Sequence, residues 1–210
     1  MRKILAFLLL LPVCLAVLPG CAPLDTTGLL EAAPGLLRQA ETFNEIYYGT
    51  GIPYDETAEP IGSYYPADKA YLAAHGFSTI AQLKTKTEAV FSYDYCTSIY
   101  ASTLSGFAAE GSGYVYARYS SSQVEGRQDE NETILVSSTA ENRLAHRLSI
   151  TYDLNALRLG AVGRDYAIVI VPTTTVYRAD EDHEEDYTVD EDMEVTFVYE
   201  DGWRIDSATY

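Results

Sequence analysis

The sequence predicts an α+β domain in which N-terminal helices pack on a curved C-terminal antiparallel sheet. Between Leu29 and Leu104 apolar residues recur three and four positions apart, the period of a helix face, whereas past Gly113 they fall in short β-prone runs parted by turn residues. Helices first and a meander of strands afterwards is the α+β order. The 210 residues, 47% hydrophobic and 12% aromatic with 18 tyrosines, suffice for one well-filled core and argue against general disorder.

The first element is an address. Arg2 and Lys3 precede an apolar run from Ile4 to Leu18, broken at Pro12 and followed by Leu18-Pro19-Gly20-Cys21. At about 15 residues the run is short of the roughly 20 that a spanning helix needs. Its basic start and small-residue end are those of a secretory signal. The last four residues look like a bacterial lipobox, with Gly20 before the cut and Cys21 as the lipidated residue, although Pro19 stands where a small residue is usual. The chain then divides into a signal peptide over 1–20, a tether over 21–28 and a single domain over 29–210, helical to about 106 and β from about 114. Ala22 to Thr27 spans about 20 Å when extended, so the body stays near the membrane that holds Cys21. With Cys14 removed and Cys21 acylated, only Cys96 remains, which leaves no intramolecular disulfide. The apolar pattern around Cys96 reads as a buried structural thiol.

Leu29, Leu30, Ala33, Leu36, Leu37, Ala40, Phe43, Ile46 and Tyr47 form the stripe of a first helix, firmest over Gly35–Tyr48, with Pro34 in its first turn and Gly49 as its stop. An ordered aromatic loop follows to Tyr65-Pro66. A short helix over Ala67–Ala74 ends near His75-Gly76. Ser78 caps a third helix whose face carries Ile80, Leu83, Thr87, Val90 and Phe91, and Ser92 restarts a fourth with Tyr95, Ile99 and Leu104, until Gly106. Strands are expected over Tyr114–Ser120, Ile134–Ser138, Ala145–Tyr152, Ala156–Val162, Tyr166–Tyr177, Met193–Glu200 and Trp203–Asp206. Gly163-Arg164-Asp165 marks one turn, and Asp201-Gly202 a two-residue hairpin. Pro172 inside the longest strand marks an edge or a bulge.

Acidic side chains number 31 against 14 basic ones, a net charge of −17 that becomes −19 (12 basic, 31 acidic) once the signal is removed. No basic stripe exists to bind phosphate, which excludes nucleic acid, and repulsion keeps the chain off an anionic lipid surface. Nine acids crowd into Asp180–Asp192, between two expected strands. This segment reads as a solvated, mobile loop, and Asp180, Asp182, Glu184, Glu185 and Asp186 are its candidate contacts for a basic partner. Calcium is the minor reading: Asp180, Asp182, Glu184, Asp186 and Glu191 fall on EF-hand positions 1, 3, 5, 7 and 12, but Glu185 occupies the glycine position and no helices flank the loop.

The three histidines lack zinc-ligand spacing. His146 falls in an expected strand, where it is either an ordinary surface or core histidine or, in a pocket beside an Asp, a general acid–base. No GxSxG, phosphate-cradling glycine loop or Cys/His motif is present, so no catalytic residue, cofactor or enzyme activity is assigned. The cluster of Tyr47, Tyr48, Tyr54, Tyr64 and Tyr65 has two readings. Its rings pack helices onto the sheet, or Tyr48, Tyr54 and Tyr65 offer a stacking surface for sugar or peptide.

Three stretches coincide: the lipobox, Tyr47-Tyr48-Gly49-Thr50-Gly51-Ile52-Pro53-Tyr54 after the first helix, and the closing Asp201-Gly202-Trp203-Arg204-Ile205-Asp206-Ser207-Ala208-Thr209-Tyr210. Together they resemble the small Gram-positive lipoproteins grouped with the IseA-type DL-endopeptidase inhibitors, in layout over most of the mature chain and in residues over these segments alone. The resemblance implies a non-catalytic, lipid-anchored protein on the outer face of the cell membrane that docks on the catalytic domain of NlpC/P60-type cell-wall hydrolases and blocks cleavage of peptidoglycan stems. It carries over no inhibitory residue. The closing segment also resembles cystatin-like and SnoaL-like domains, for which a small-ligand pocket is the alternative, and a structural lipoprotein without a dedicated partner is the third.

Overall fold

A computed structural model describes residues 22–105, 107–109, 113–115, 117–121, 123–124, 127–128 and 130–210. The expected signal peptide over 1–20, the expected lipidation site Cys21, and Gly106 lie outside the described residues. The fold is α+β, with four helices preceding the antiparallel sheets apart from one short strand among them.

Helix α1 (Leu29–Tyr47) buries Leu29, Ala33, Leu36, Leu37, Ala40, Phe43, Ile46 and Tyr47, the face its spacing predicts. It starts on Gly28 with φ 76°, where the apolar stripe begins, so Pro34 lies in its second turn and not in the first. There the missing N–H forfeits one bond, to the carbonyl of exposed Leu30, and the helix continues because eight buried side chains outweigh it. Strand β1 (Tyr64–Pro66) lies in the stretch expected as loop. Helix α2 (Lys69–His75) is capped by Asp68, whose carboxylate accepts from the Tyr71 N–H at 2.7 Å, and ends on Gly76 at φ 68°. Helix α3 (Ile80–Glu88) is capped by Thr79 in place of Ser78, which instead donates its N–H to the Gln82 side chain at 2.7 Å. Helix α4 (Tyr93–Thr103) is capped by Ser92 as expected.

The expected strand over Tyr114–Ser120 is divided. Its start belongs to a hairpin of β2 (Phe107–Ala109) and β3 (Gly113–Val115), and its end to β4 (Tyr119–Ser121). Hairpin β5 (Gln123–Val124) and β6 (Arg127–Gln128) follows, then β7 (Ile134–Ser137), which joins β1 and β4 in a three-stranded sheet, β1-β7-β4. The larger sheet holds β8 (Arg147–Tyr152), β9 (Arg158–Val162), β10 (Ala167–Tyr177), β11 (Tyr187–Tyr199) and β12 (Trp203–Ile205). Its order is β12-β11-β10, and the far side of β10 is shared by β9 and β8.

Pro172 marks neither an edge nor a bulge, since β10 is paired on both sides and its register shifts fall between Ala167 and Val169 and between Val176 and Tyr177. Strand β9 pairs with β10 through Ile170 and β8 takes over at Thr173, so Pro172 sits at the seam. Its carbonyl accepts there from the Asp153 N–H at 2.8 Å. In an antiparallel strand a residue's N and C=O lie on one side, so the missing N–H falls where the ladder is already interrupted. The β11–β12 connection is the three-residue Glu200-Asp201-Gly202, since Tyr199 pairs with Trp203; Asp201 at φ 51° and Gly202 at φ 133° supply the turn.

The core joins the α1 face, Leu83 and Ile99 of the later helices with Phe91 between them, Tyr119 and Ile134 of the smaller sheet, and Val169, Val171, Val195 and Phe197 of the larger. Truncating a fully buried member such as Leu37 would cost about 2–5 kcal/mol. Arg118 is buried too. Its guanidinium donates to the carbonyls of Tyr47, Gly49 and Glu141 and so clamps the aromatic loop to β4.

Candidate functional site

The acidic segment is an arm of the β10–β11 hairpin. Strand β11 begins at Tyr187, six residues earlier than expected, so Asp190, Glu191 and Asp192 are strand residues opposite Thr174, Thr173 and Pro172. The β-branched Thr188 and Val189 and the partner strand's threonines and valines outweigh the low strand propensity of Asp and Glu. The loop is thereby shortened to residues 178–186, all exposed.

Two of its carboxylates hold it together. Asp180 accepts from the backbone N–H groups of Asp182 and His183 at 2.9 Å each, contacts His183 Nδ1 at 2.9 Å, and accepts from the Tyr187 hydroxyl at 3.0 Å. These bonds, the His183 side chain's first, hold its carboxyl down at about 2. Asp186 accepts from the Ala179 N–H at 2.9 Å. The carboxylates of Glu181, Asp182, Glu184 and Glu185 form no hydrogen bond or ion pair among the described residues and stand free in solvent. Of the candidate contacts, therefore, Asp182, Glu184 and Glu185 face outward, while Asp180 and Asp186 are occupied within the loop. The same division dismantles the EF-hand pattern, since two of its carboxylates serve backbone and Glu191 lies in a strand. Among the described residues no three His, Cys, Asp or Glu side chains converge as a metal cage.

His146 lies outside any strand, in the turn before β8, and is exposed. Its carbonyl accepts from the Arg178 N–H at 2.8 Å, and its ring stacks on Tyr177 at 5.9 Å. The stack continues through Tyr187 at 5.4 Å to His183 at 3.8 Å, so four rings run across the base of the acidic loop. Sequence reading missed this row because its members come from three segments. The cross-strand pair Tyr177 and Tyr187 was its one available signal.

The expected aromatic surface is divided. Tyr48 is 7% exposed and packs against Tyr210, ring centroids 4.8 Å apart, so it belongs to the core. Tyr54 and Tyr65 are half-buried and stack on each other at 5.1 Å. Cys96 is buried beside the Phe91 carbonyl, and burial pushes its thiol up to about 11.

On the outer face of the sheet an open depression of about 690 Å³ lies over Pro172, rimmed by Asp153, Thr174, Asp190 and Asp192. Arg158 pairs with Asp192 at 2.5 Å, which beside that of His183 with Asp180 makes the second ion pair of the arm among the described residues. At the other end of the hairpin the Leu24 N–H donates to the Gly163 carbonyl at 2.9 Å, and Trp203 Nε1 donates to the Thr27 carbonyl at 3.4 Å. The segment that would emerge from Cys21 thus lies at the Ala167 end of β10 and the acidic loop at its Tyr177 end, about 33 Å away at about 3.3 Å per residue. No helix among the described residues is long and apolar enough to cross a membrane. No family model, curated protein or solved structure matches the chain.

Proposed function

We propose that the chain is an extracellular lipoprotein, held at the membrane through Cys21, that works by binding: its acidic arm docks on a basic face of an NlpC/P60-type DL-endopeptidase and restrains peptidoglycan cleavage. The observation that supports this reading is the arm's placement. Free carboxylates gather at the end of the hairpin remote from residue 22, so a lipid-tethered chain would present them away from the anionic bilayer that repels them. Long-range attraction would then steer a basic partner onto the arm. The target class rests on the resemblance of the lipobox, the Tyr47–Tyr54 segment and the closing strand. The small-ligand alternative rests on the closing segment, and a pocketed His146 would have favoured it; an exposed, stacked His146 lends it no support.

The test adds the soluble domain, residues 22–210, to a DL-endopeptidase acting on muropeptides. Dose-dependent loss of cleavage is expected, and it should weaken as salt rises. Replacing Glu181, Asp182, Glu184 and Glu185 by Gln and Asn, with Asp180 and Asp186 left to hold the loop, should weaken inhibition on the order of tenfold and flatten the salt dependence. Absence both of inhibition and of a hydrolase retained on the immobilised domain would refute the reading.

A further inference from the structure

Among the described residues, strand β11 is fully covered on one side only. It pairs with β10 along its whole length, but β12 meets it solely at Phe197, Val198 and Tyr199. Just beyond, Thr196 turns its backbone to the β12 side, where its carbonyl accepts from the Asp206 N–H at 2.8 Å and its N–H donates to Ser207 Oγ at 3.0 Å. Backbone direction alternates along an antiparallel strand, so Glu194, Asp192, Asp190 and Thr188 turn their N–H and C=O groups the same way. All four residues are exposed, and among the described residues nothing pairs with that edge. It runs about 20 Å from Thr188 to Glu194.

An open edge of this length is a template for another strand, and natural sheets guard such edges with charge. Here the guard is acidic, with Asp192 already paired to Arg158 and Asp190 accepting from the Thr174 hydroxyl at 2.6 Å, while Glu191 and Glu194 are in no ion pair among the described residues. Asp190, Asp192 and Glu194 project from one face of the strand and Glu191 from the other, because successive side chains alternate. A second copy of β11 laid antiparallel on this edge would set acid against acid, which disfavours self-pairing. An incoming strand with Lys or Arg at alternate positions meets the opposite condition. Its backbone completes the ladder and its cations lie beside the carboxylates.

We propose that the Thr188–Glu194 edge of β11 accepts an extended basic segment of a partner by β-strand addition. The proposal deepens the binding reading above by naming the mode of contact, and places it on the strand edge, where the loop carboxylates of 181–185 serve only to steer.

The test needs no hydrolase, so its outcome is separable from that of the inhibition assay. The probe is an eight-residue peptide alternating Lys and Thr, compared with the same peptide N-methylated at every second backbone nitrogen, which keeps the charge and removes the ladder donors. Expected are binding by the unmodified peptide, slowed amide exchange at Thr188, Asp190, Asp192 and Glu194, and about tenfold weaker binding after N-methylation. Asp192→Pro, which deletes one outward N–H, should weaken binding more than Asp192→Asn, which deletes only charge. Equal affinity for the two peptides, perturbation confined to residues 180–186, or no binding would overturn the proposal, as would a dimer of the free protein with the same four amides protected. The peptide comparison leaves the protein unaltered, so it stands even if Asp192→Pro fails to fold.

Discussion

Arg118 and Gly51 show how single residues depend on one another across the fold. Gly51 has φ +81°, and a β-carbon there would stand 2.6 Å from Arg118 Nη2 and 2.9 Å from the Tyr119 hydroxyl. The glycine was visible in the sequence, but the reason for it was not, since the guanidinium it admits comes from 67 positions later. Cys96 was more legible. Its apolar surroundings in sequence already implied burial, and the structure buries it. With the thiol pushed up to about 11 by desolvation, the native domain should resist iodoacetamide at pH 8 and take up one equivalent only after denaturation. Mass spectrometry before and after guanidinium addition checks this, and rapid labelling of the native domain would contradict it. For His146 the reading as an ordinary surface histidine holds and the pocket alternative does not, because one position before a strand it lacks the inward-facing alternation that the pocket needed.

At the scale of elements, helices were read from their spacing because burial of one stripe governs both the pattern and the fold. Boundaries moved where a local signal met a tertiary contact: Pro34 did not delay α1, and acids did not prevent β11. Pro172 yields a direct check on the interrupted ladder. Pro172→Ala should change stability by no more than about 0.5 kcal/mol, because the restored N–H faces the gap between β9 and β8. Thr174→Pro, one step along the same side, removes a ladder bond to β8 opposite Thr151 and should cost about 3 kcal/mol. Urea unfolding of the two variants decides it, and similar losses would mean that the seam is as tightly paired as its neighbours.

For the whole molecule, the two ends of the β10–β11 hairpin differ in what gathers there. The segment leading from residue 22 is bonded at one end, and the free carboxylates gather at the other. A chain lipidated at Cys21 and bound to vesicles should therefore hold its acidic tip beyond the lipid headgroups. A fluorophore attached through Glu184→Cys is expected to escape quenching by lipid-borne quenchers, while one attached through Tyr166→Cys is quenched. Cys96, being buried, leaves each label specific. Equal quenching at both sites would show that the arm lies against the membrane.

The sequence by itself determined the α+β order, the helix faces, the long strand β10, the concentration of acid between residues 180 and 192, and a charge unsuited to nucleic acid. All of these are properties of neighbours in the chain, where period, composition and turn chemistry act locally. Only the tertiary structure decided which acids are free and which are consumed by the loop, which tyrosines are core, how rings from three segments stack, and that one side of β11 from Thr188 to Glu194 has no partner among the described residues. Those outcomes depend on register and on contacts between residues far apart in sequence, and a local pattern holds no record of which distant group will occupy the other side of a bond.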